Sequence, residues 1–445
     1  MRVRGIMGRG MRTALVAISV GLAAVPAGLS AQETTAGPAS PEHAAVIDAI
    51  LADSKFEAAV AELDREHDQW VANIIELTEI PSPPFKEAAR AQAYADKFRQ
   101  LGLADVGIDA EGNVLGLREG TGNSDRLIVV SAHMDTVFPE GTPIKVRREG
   151  DRLYAPGVGD DTSGLATQLS LINALNVAGI EPQDDILFVG TVGEEGLGDL
   201  RGVRHLFTED EYKDRISAFY SLDGGSEGGF TTGGVGSKRY RLTFSGPGGH
   251  SFGAFGLVNP MSALSQAVVN LYSVPVPQTP KTTYSASVVG GGTSVNAIPR
   301  DVWLEVDMRS VSAAELAKLE QAFLSGVDSA VNAENAARST AEGQVTVDKK
   351  VVGDRPAGQT DPNADIVAFA TAAYLSEGIT PQYGSGSTDS NVAMSLGIPA
   401  VTLPRVAEGG RGHSVDEWVG IEKTGSVRIR KLDLLSILAV AGYRP

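Results

Sequence analysis

Leu127-Ile128-Val129-Val130 is an unbroken apolar run, and Ser131-Ala132-His133-Met134-Asp135 carries it straight into polar chemistry. Such a run suits a strand buried on both faces. Residues two apart in a strand face the same side, so His133 and Asp135 share one direction at the strand's mouth. The pattern recurs along the chain. Asp185–Val192 runs into Gly193-Glu194-Glu195-Gly196, and Ala218–Leu222 into Asp223-Gly224-Gly225. Ala400–Leu403 is followed, one loop later, by Gly412-His413-Ser414. Helical spacing lies between these runs, over Glu87–Leu101, Thr162–Ala178, Ala364–Glu377 and Lys423–Ala441, and earlier from Ala44 to Leu77. Strands alternating with helices predict an α/β core around a mixed, largely parallel sheet. Open sheets of that kind build their sites at the carboxyl ends of the strands, where these polar residues fall.

The alternation changes near Ser237. Arg239–Ser245 reads as a strand, Pro260–Tyr272 as a helix, Thr282–Val289 and Val302–Met308 as strands, Ala313–Ala337 as a long helix and Val345–Val352 as a last strand. That order, β-α-β-β-α-β, is the ferredoxin-like unit. It predicts one catalytic domain in two segments, residues 43–236 and 354–445, with a lid or dimerisation domain over 237–353 between them.

Composition narrows the chemistry. The 445-residue chain carries 55 acidic against 38 basic side chains, a formal charge of −17. That balance argues against nucleic-acid binding, which rests on basic patches. The chain has no cysteine. Disulfides, thiolate zinc sites, a cysteine nucleophile and a lipid-modified cysteine fall together, so any metal must be held by His, Asp and Glu. Residues 1–31 read as an export signal: Arg2, Arg4, Arg9 and Arg12 precede the apolar stretch Ala14–Ala24, with Ala27 or Ala31 before a cleavage site. An uncleaved anchor is the alternative, although Pro26 interrupts the run. Cleavage predicts a periplasmic or secreted protein with no stable membrane insertion and a polar tether over residues 32–42.

Each polar motif is weak alone. In Gly157-Val158-Gly159-Asp160-Asp161-Thr162-Ser163-Gly164, Asp161 can cap the following helix, which leaves Asp160 free to bridge two metal ions. Adjacent Glu194 and Glu195 repel unless a cation is near, a conflict that one ligand and one general base would resolve. Taken singly, Asp223 and His413 read more readily as turn residues. Together the motifs supply two histidines and three carboxylates, enough for a two-metal hydrolytic site.

This set, in this order, resembles the cocatalytic-zinc exopeptidase family that includes tripeptidase T, aminoacylase, glutamate carboxypeptidase and succinyl-diaminopimelate desuccinylase. The resemblance covers essentially the whole mature chain. It implies that His133 and Asp223 hold one zinc, Glu195 and His413 the other, and Asp160 both, with a cis bond to Asp161. Cobalt or manganese are possible substitutes. It further implies that Glu194 is the general base, that Asp135 orients His133, and that the lid forms a homodimer. His250, in Gly248-Gly249-His250-Ser251, would then stabilise the oxyanion, often in the partner's site. Arg309 and Asn296 are candidates for the substrate carboxylate, and Gly386-Ser387-Thr388 for a cradle around it. Two departures stand out. Thr162-Ser163 replaces the usual lysine and glycine after the paired aspartates, and Asp223-Gly224-Gly225 looks like the tripeptidase version. The implied activity is a dizinc exopeptidase acting on short peptides through a bridging hydroxide, aminopeptidase-like. A carboxypeptidase or N-acyl-amino-acid amidohydrolase is the alternative, and a catalytically silent peptide-binding protein the alternative outside enzymology.

Overall fold

The computed structural model describes residues 39–445, so the export signal and most of the tether lie outside it. Among the described residues no helix is long and apolar enough to cross a membrane. Three helices, Pro41–Leu51, Ser54–Arg65 and His67–Thr78, fill the first helical stretch. Ser40 caps the first of them through His43 N, so the tether ends before Pro41. Their apolar stripes, with Ile47, Ile50, Phe56 and Leu63, join the main core.

After the helix Ala88–Gln100 come β1 (Ala104–Ile108) and β2 (Val114–Arg118), then β3 (Leu127–His133), β4 (Asp185–Thr191), β5 (Ile216–Gly224) and β6 (Gly229–Gly234). Four longer strands follow: β7 (Gly236–Ser245), β8 (Thr282–Gly291), β9 (Asp301–Ser310) and β10 (Thr346–Arg355). β11 (Gly358–Gln359), β12 (Gln382–Gly386) and β13 (Ala400–Pro404) complete the set used below. The main sheet runs β1-β2-β4-β3-β5-β13-β6-β11, with β12 also on β6. Its centre, β4-β3-β5-β13, is parallel, and β2 joins β4 antiparallel. The sheet is therefore mixed with a parallel heart. β3 is buried at all seven positions, which is why its sequence is apolar without alternation. The helix Thr162–Ala178 packs beside it, its residues Leu165, Leu169 and Ile172 in the same core as Ile128 and Val130.

The second sheet has the order β8-β9-β7-β10, antiparallel throughout. Helices Pro260–Tyr272 and Ala313–Ala337 share a core with Leu242, Phe244, Leu304 and Val306 of this sheet. This is the βαββαβ ferredoxin-like unit. Its side chains alternate, so the face away from the helices carries Arg239, Arg241, Glu305, Asp307 and Arg309, each partly exposed. Arg239 lies directly opposite Asp307 in the register, and Arg309 follows Asp307 on the same side. One end of that face thus holds two guanidiniums around one carboxylate.

Candidate metal centre

His133 ends β3, and Asp223 lies in the last turn of β5, so neighbouring parallel strands deliver them to one place. Asp160 arrives from the loop before the helix Thr162–Ala178. His133 Nε2 lies 2.9 Å from Asp160 Oδ1 and 3.9 Å from Asp223 Oδ1. The other Asp160 oxygen, Oδ2, lies 3.2 Å from His413 Nε2, which is itself 2.9 Å from Glu195 Oε1. Asp160 therefore offers one oxygen to each histidine. His413 and Arg411 both adopt positive φ, of 63° and 59°, uncommon for residues with a side chain. The Asp160–Asp161 bond is cis.

Glu417 holds the loop that carries Asp160. It accepts from Gly157 N at 2.9 Å, Gly159 N at 2.8 Å and Asp160 N at 2.7 Å. Asp161, read from the sequence as a helix cap, makes no side-chain cap bond. Its Oδ2 accepts instead from His133 N at 3.0 Å, and its Oδ1 is buried without a partner. Asp135 contacts His133 and has further partners besides. Its backbone oxygen, not its carboxylate, is the near partner of His133 Nδ1, at 3.1 Å against 3.6 Å. The carboxylate accepts from Glu194 N at 3.0 Å and Glu195 N at 2.8 Å. Asp135 is thus the peg on which the paired glutamates hang.

Glu194 and Glu195 are both buried but face different partners. Arg355 donates from Nη1 to Glu194 Oε1 at 3.1 Å, and from Nη2 to the Glu194 carbonyl. Burial pushes the Glu194 carboxyl well above its usual range, with Arg355 opposing the shift and Glu195 adding to it. Burial pushes Asp223 up to about 7, with Arg405 opposing and Asp160 adding. Bonds to Asp160 and Glu195 raise His413 to about 10. These shifts describe a crowd of carboxylates short of positive charge, the situation a divalent cation relieves. Three overlapping groups place donor atoms within 4.8 Å of one another: His133, Glu194 and Glu195; His133, Asp161 and Asp223; Asp160, Glu195 and His413. The donor set is borderline nitrogen and hard oxygen, which suits zinc and related ions.

A cavity of about 270 Å³ opens on this cluster. Asp160, Glu194, Glu195, Asp223 and His413 line it. Arg239, Arg309, Arg355 and Ser387 line it as well, Arg355 in contact with Glu194. Arg309 Nε and Arg239 Nε both bond Asp307, at 2.7 and 3.0 Å. Arg239 also donates to Gly196 O at 3.1 Å, which ties the second sheet to the turn after β4 at the cavity's edge.

The remaining sequence candidates divide. Ser387 reaches the cavity and accepts from Arg355 Nη1 at 3.0 Å. Gly386 belongs to β12 rather than to a loop, and its carbonyl accepts from Val235 N. Thr388 spends its N–H on Asn391 and pairs its hydroxyl with Thr402, so neither of these two offers a cradle. Asn296 does not line the cavity. It sits beside His250, where Ser251 N donates to its carbonyl at 2.9 Å. His250 Nδ1 accepts from Phe252 N and Gly253 N, which places the ring proton on an outward Nε2. No recorded contact joins His250 to the carboxylate cluster among the described residues. His67 is buried and bonds Ile421 O and Arg430.

Sequence reading missed Arg355, Arg405, Glu417, Asp389 and Arg239. Two carried a signal. Glu417 follows His413 by four residues, and Asp389 lies within the polar run Ser385–Asn391, where burial raises it to about 6 as it accepts from Thr191. The arginines carried none, because an arginine beside a strand end is ordinary.

The model of the Peptidase family M20/M25/M40 matches residues 129–428. A LysW-lysine/LysW-ornithine hydrolase described from Pyrococcus abyssi is 35% identical over 139 residues, 31% of this chain and 36% of that one. Carboxypeptidase G2 of a Pseudomonas species is 26% identical over 231 residues, 50% of this chain and 54% of that one. The chain thus matches between about a third and a half of the length of these relatives. The aminopeptidase PepT structure from Bacillus cereus superposes with a TM-score of 0.68 at 22% identity, covering 84% of this chain and 99% of that one. It shows a shared fold.

Proposed function

Because the chain belongs to peptidase family M20/M25/M40 and is a metallopeptidase-type hydrolase, we propose that it is an exopeptidase cutting short peptides that end in a free carboxylate. One observation carries this reading. The cavity is small, and the guanidiniums of Arg239, Arg309 and Arg355 line it together with the His and carboxylate cluster. A substrate carboxylate near Arg309 meets Nη atoms left free because Nε serves Asp307, and a guanidinium fork matches a carboxylate's two oxygens. That contact would set the amide bond beside the His and carboxylate cluster that lines the same cavity.

In this reading His133, Asp160 and Asp223 hold one zinc ion, and Asp160, Glu195 and His413 a second. When bound, such ions polarise the scissile carbonyl and acidify water. Glu194 takes the proton from the attacking water and returns it to the leaving amine. Asp135 fixes Glu194 and Glu195 through their N–H groups, and Arg355, itself bonded to Ser387, fixes the Glu194 carboxylate. His250, with a proton on its exposed Nε2, suits an oxyanion donor supplied across a homodimer. Phe252, Phe255 and Val295, all strongly exposed around it, would be covered there. The charged and apolar beginning of residues 1–31 supports action after export, in the periplasm or outside the cell.

The choice between substrate ends turns on Asp223. An aminopeptidase-like preference assumes that its charge is available to a substrate ammonium, yet Arg405 already pairs with it. That pairing favours the second reading, a carboxypeptidase or N-acyl-amino-acid amidohydrolase. Three substrates decide: a free tripeptide, its N-acetyl form and its carboxyl-terminal amide. The amide should lose at least about tenfold in kcat/KM, as expected when a charged hydrogen-bond partner is removed. An amide hydrolysed as fast as the acid refutes the carboxylate anchor. Faster cleavage of the acetylated form selects the second reading.

A further inference from the structure

Arg405 follows β13 and brings a guanidinium that is 11% exposed into the carboxylate cluster. Its Nη1 pairs with Asp223 Oδ1 and donates to the Asp223 carbonyl at 2.7 Å. The same nitrogen lies 3.5 Å from Asp160 Oδ1 and 3.8 Å from Asp161 Oδ1. Asp160 Oδ1 and Asp223 Oδ1 are also the oxygens nearest His133 Nε2. One half of the cluster therefore already contains a fixed cation. The other half, formed by Asp160 Oδ2, Glu195 and His413, contains no lysine or arginine pair among the described residues.

We propose that Arg405 is a resident cation that competes with metal for the His133 half of the centre. The chain therefore binds its two metal ions with unequal strength, the ion on His133, Asp160 and Asp223 being the weaker and more exchangeable. This rests on the metal-centre reading given above. Guanidinium stays charged at any pH the fold survives, so proton loss cannot relieve the competition. A unit charge within a few ångströms of a divalent ion repels it strongly where water is scarce. An oxygen already drawn to Arg405 is also a poorer donor to metal. The Asp223 carbonyl anchors the guanidinium, so swinging aside costs a buried hydrogen bond. In return, Arg405 offsets part of the charge of Asp160, Asp161 and Asp223 when no metal is bound.

The test is a zinc titration of the stripped full-length protein against a chromophoric chelator, with bound zinc counted by elemental analysis. Wild type should take up two ions whose affinities differ by at least about tenfold, a modest result for a neighbouring unit charge. Arg405→Met should tighten the weaker site at least about tenfold and leave the tighter one within about threefold. Arg405→Lys, which keeps the charge, should keep the two affinities apart. If the methionine variant does not fold without metal, Arg405→Gln supplies the neutral side chain with a hydrogen bond for the Asp223 carbonyl. Two equal affinities in wild type, or an unchanged gap in the neutral variant, overturns the proposal. Binding of no zinc by wild type defeats the metal-centre reading itself.

Discussion

Asp135→Asn separates two roles that one carboxylate could play. Asp135 is completely buried, and its two oxygens accept from Glu194 N at 3.0 Å and Glu195 N at 2.8 Å. Asparagine can accept only one of these bonds, because its amide nitrogen would face the second N–H donor. A hydrogen bond to a charged group is worth about 1.5–3 kcal/mol, and a stranded buried donor costs about 1–3 kcal/mol. The charge on Asp135 also compensates the buried Arg90, which would lose that partner. The variant should therefore lose about 3 kcal/mol of stability, since these costs overlap. Denaturant unfolding of the metal-stripped proteins measures the loss, because bound metal would add its own linkage. If Asp135 acted only by orienting His133, asparagine could still accept from Nδ1 and stability would barely change. A shift in midpoint equivalent to less than about 0.5 kcal/mol, the scale of an inert surface change, refutes the peg.

Glu194→Gln should keep its metal and lose turnover, whereas Glu195→Gln should lose metal affinity. Metal content and rate on both variants check the division, and near-wild-type turnover in Glu194→Gln refutes it. His250→Ala should leave bound metal and thermal stability unchanged while lowering kcat by about 10²–10³, the usual cost of an oxyanion donor. An undiminished kcat would mean that His250 is only a turn residue.

Much of this architecture is legible because burial and chemistry alternate so sharply. β3 announces itself as a continuous apolar run since both faces are covered, and His133 marks the point where cover ends. Asp160, Glu195, Asp223 and His413 stand at comparable breaks, beside glycines that let the chain turn. The shorter strands were not readable. β6 is Gly229-Phe230-Thr231-Thr232-Gly233-Gly234, with too few apolar side chains to show a period. β12, equally glycine-rich, reads as a loop. Side-chain roles were harder still. Arg355 reaches Glu194 across 161 residues, and Arg405 reaches Asp223 across 182. Such pairings arise only when strands close into a sheet. Asp135 has a second role that spacing could not reveal: its carboxylate, 3.6 Å from His133 Nδ1, also accepts from the backbone N–H groups of Glu194 and Glu195.

In the proposed function, hydrolysis depends on a metal centre formed by His133, Asp160, Glu195, Asp223 and His413. Dialysis against a chelator, followed by peptide hydrolysis and elemental analysis on the same sample, tests it most directly. Activity should fall to background as metal is lost, and return with added zinc or cobalt as two ions per chain rebind. Full hydrolysis by protein shown to be free of metal would contradict it.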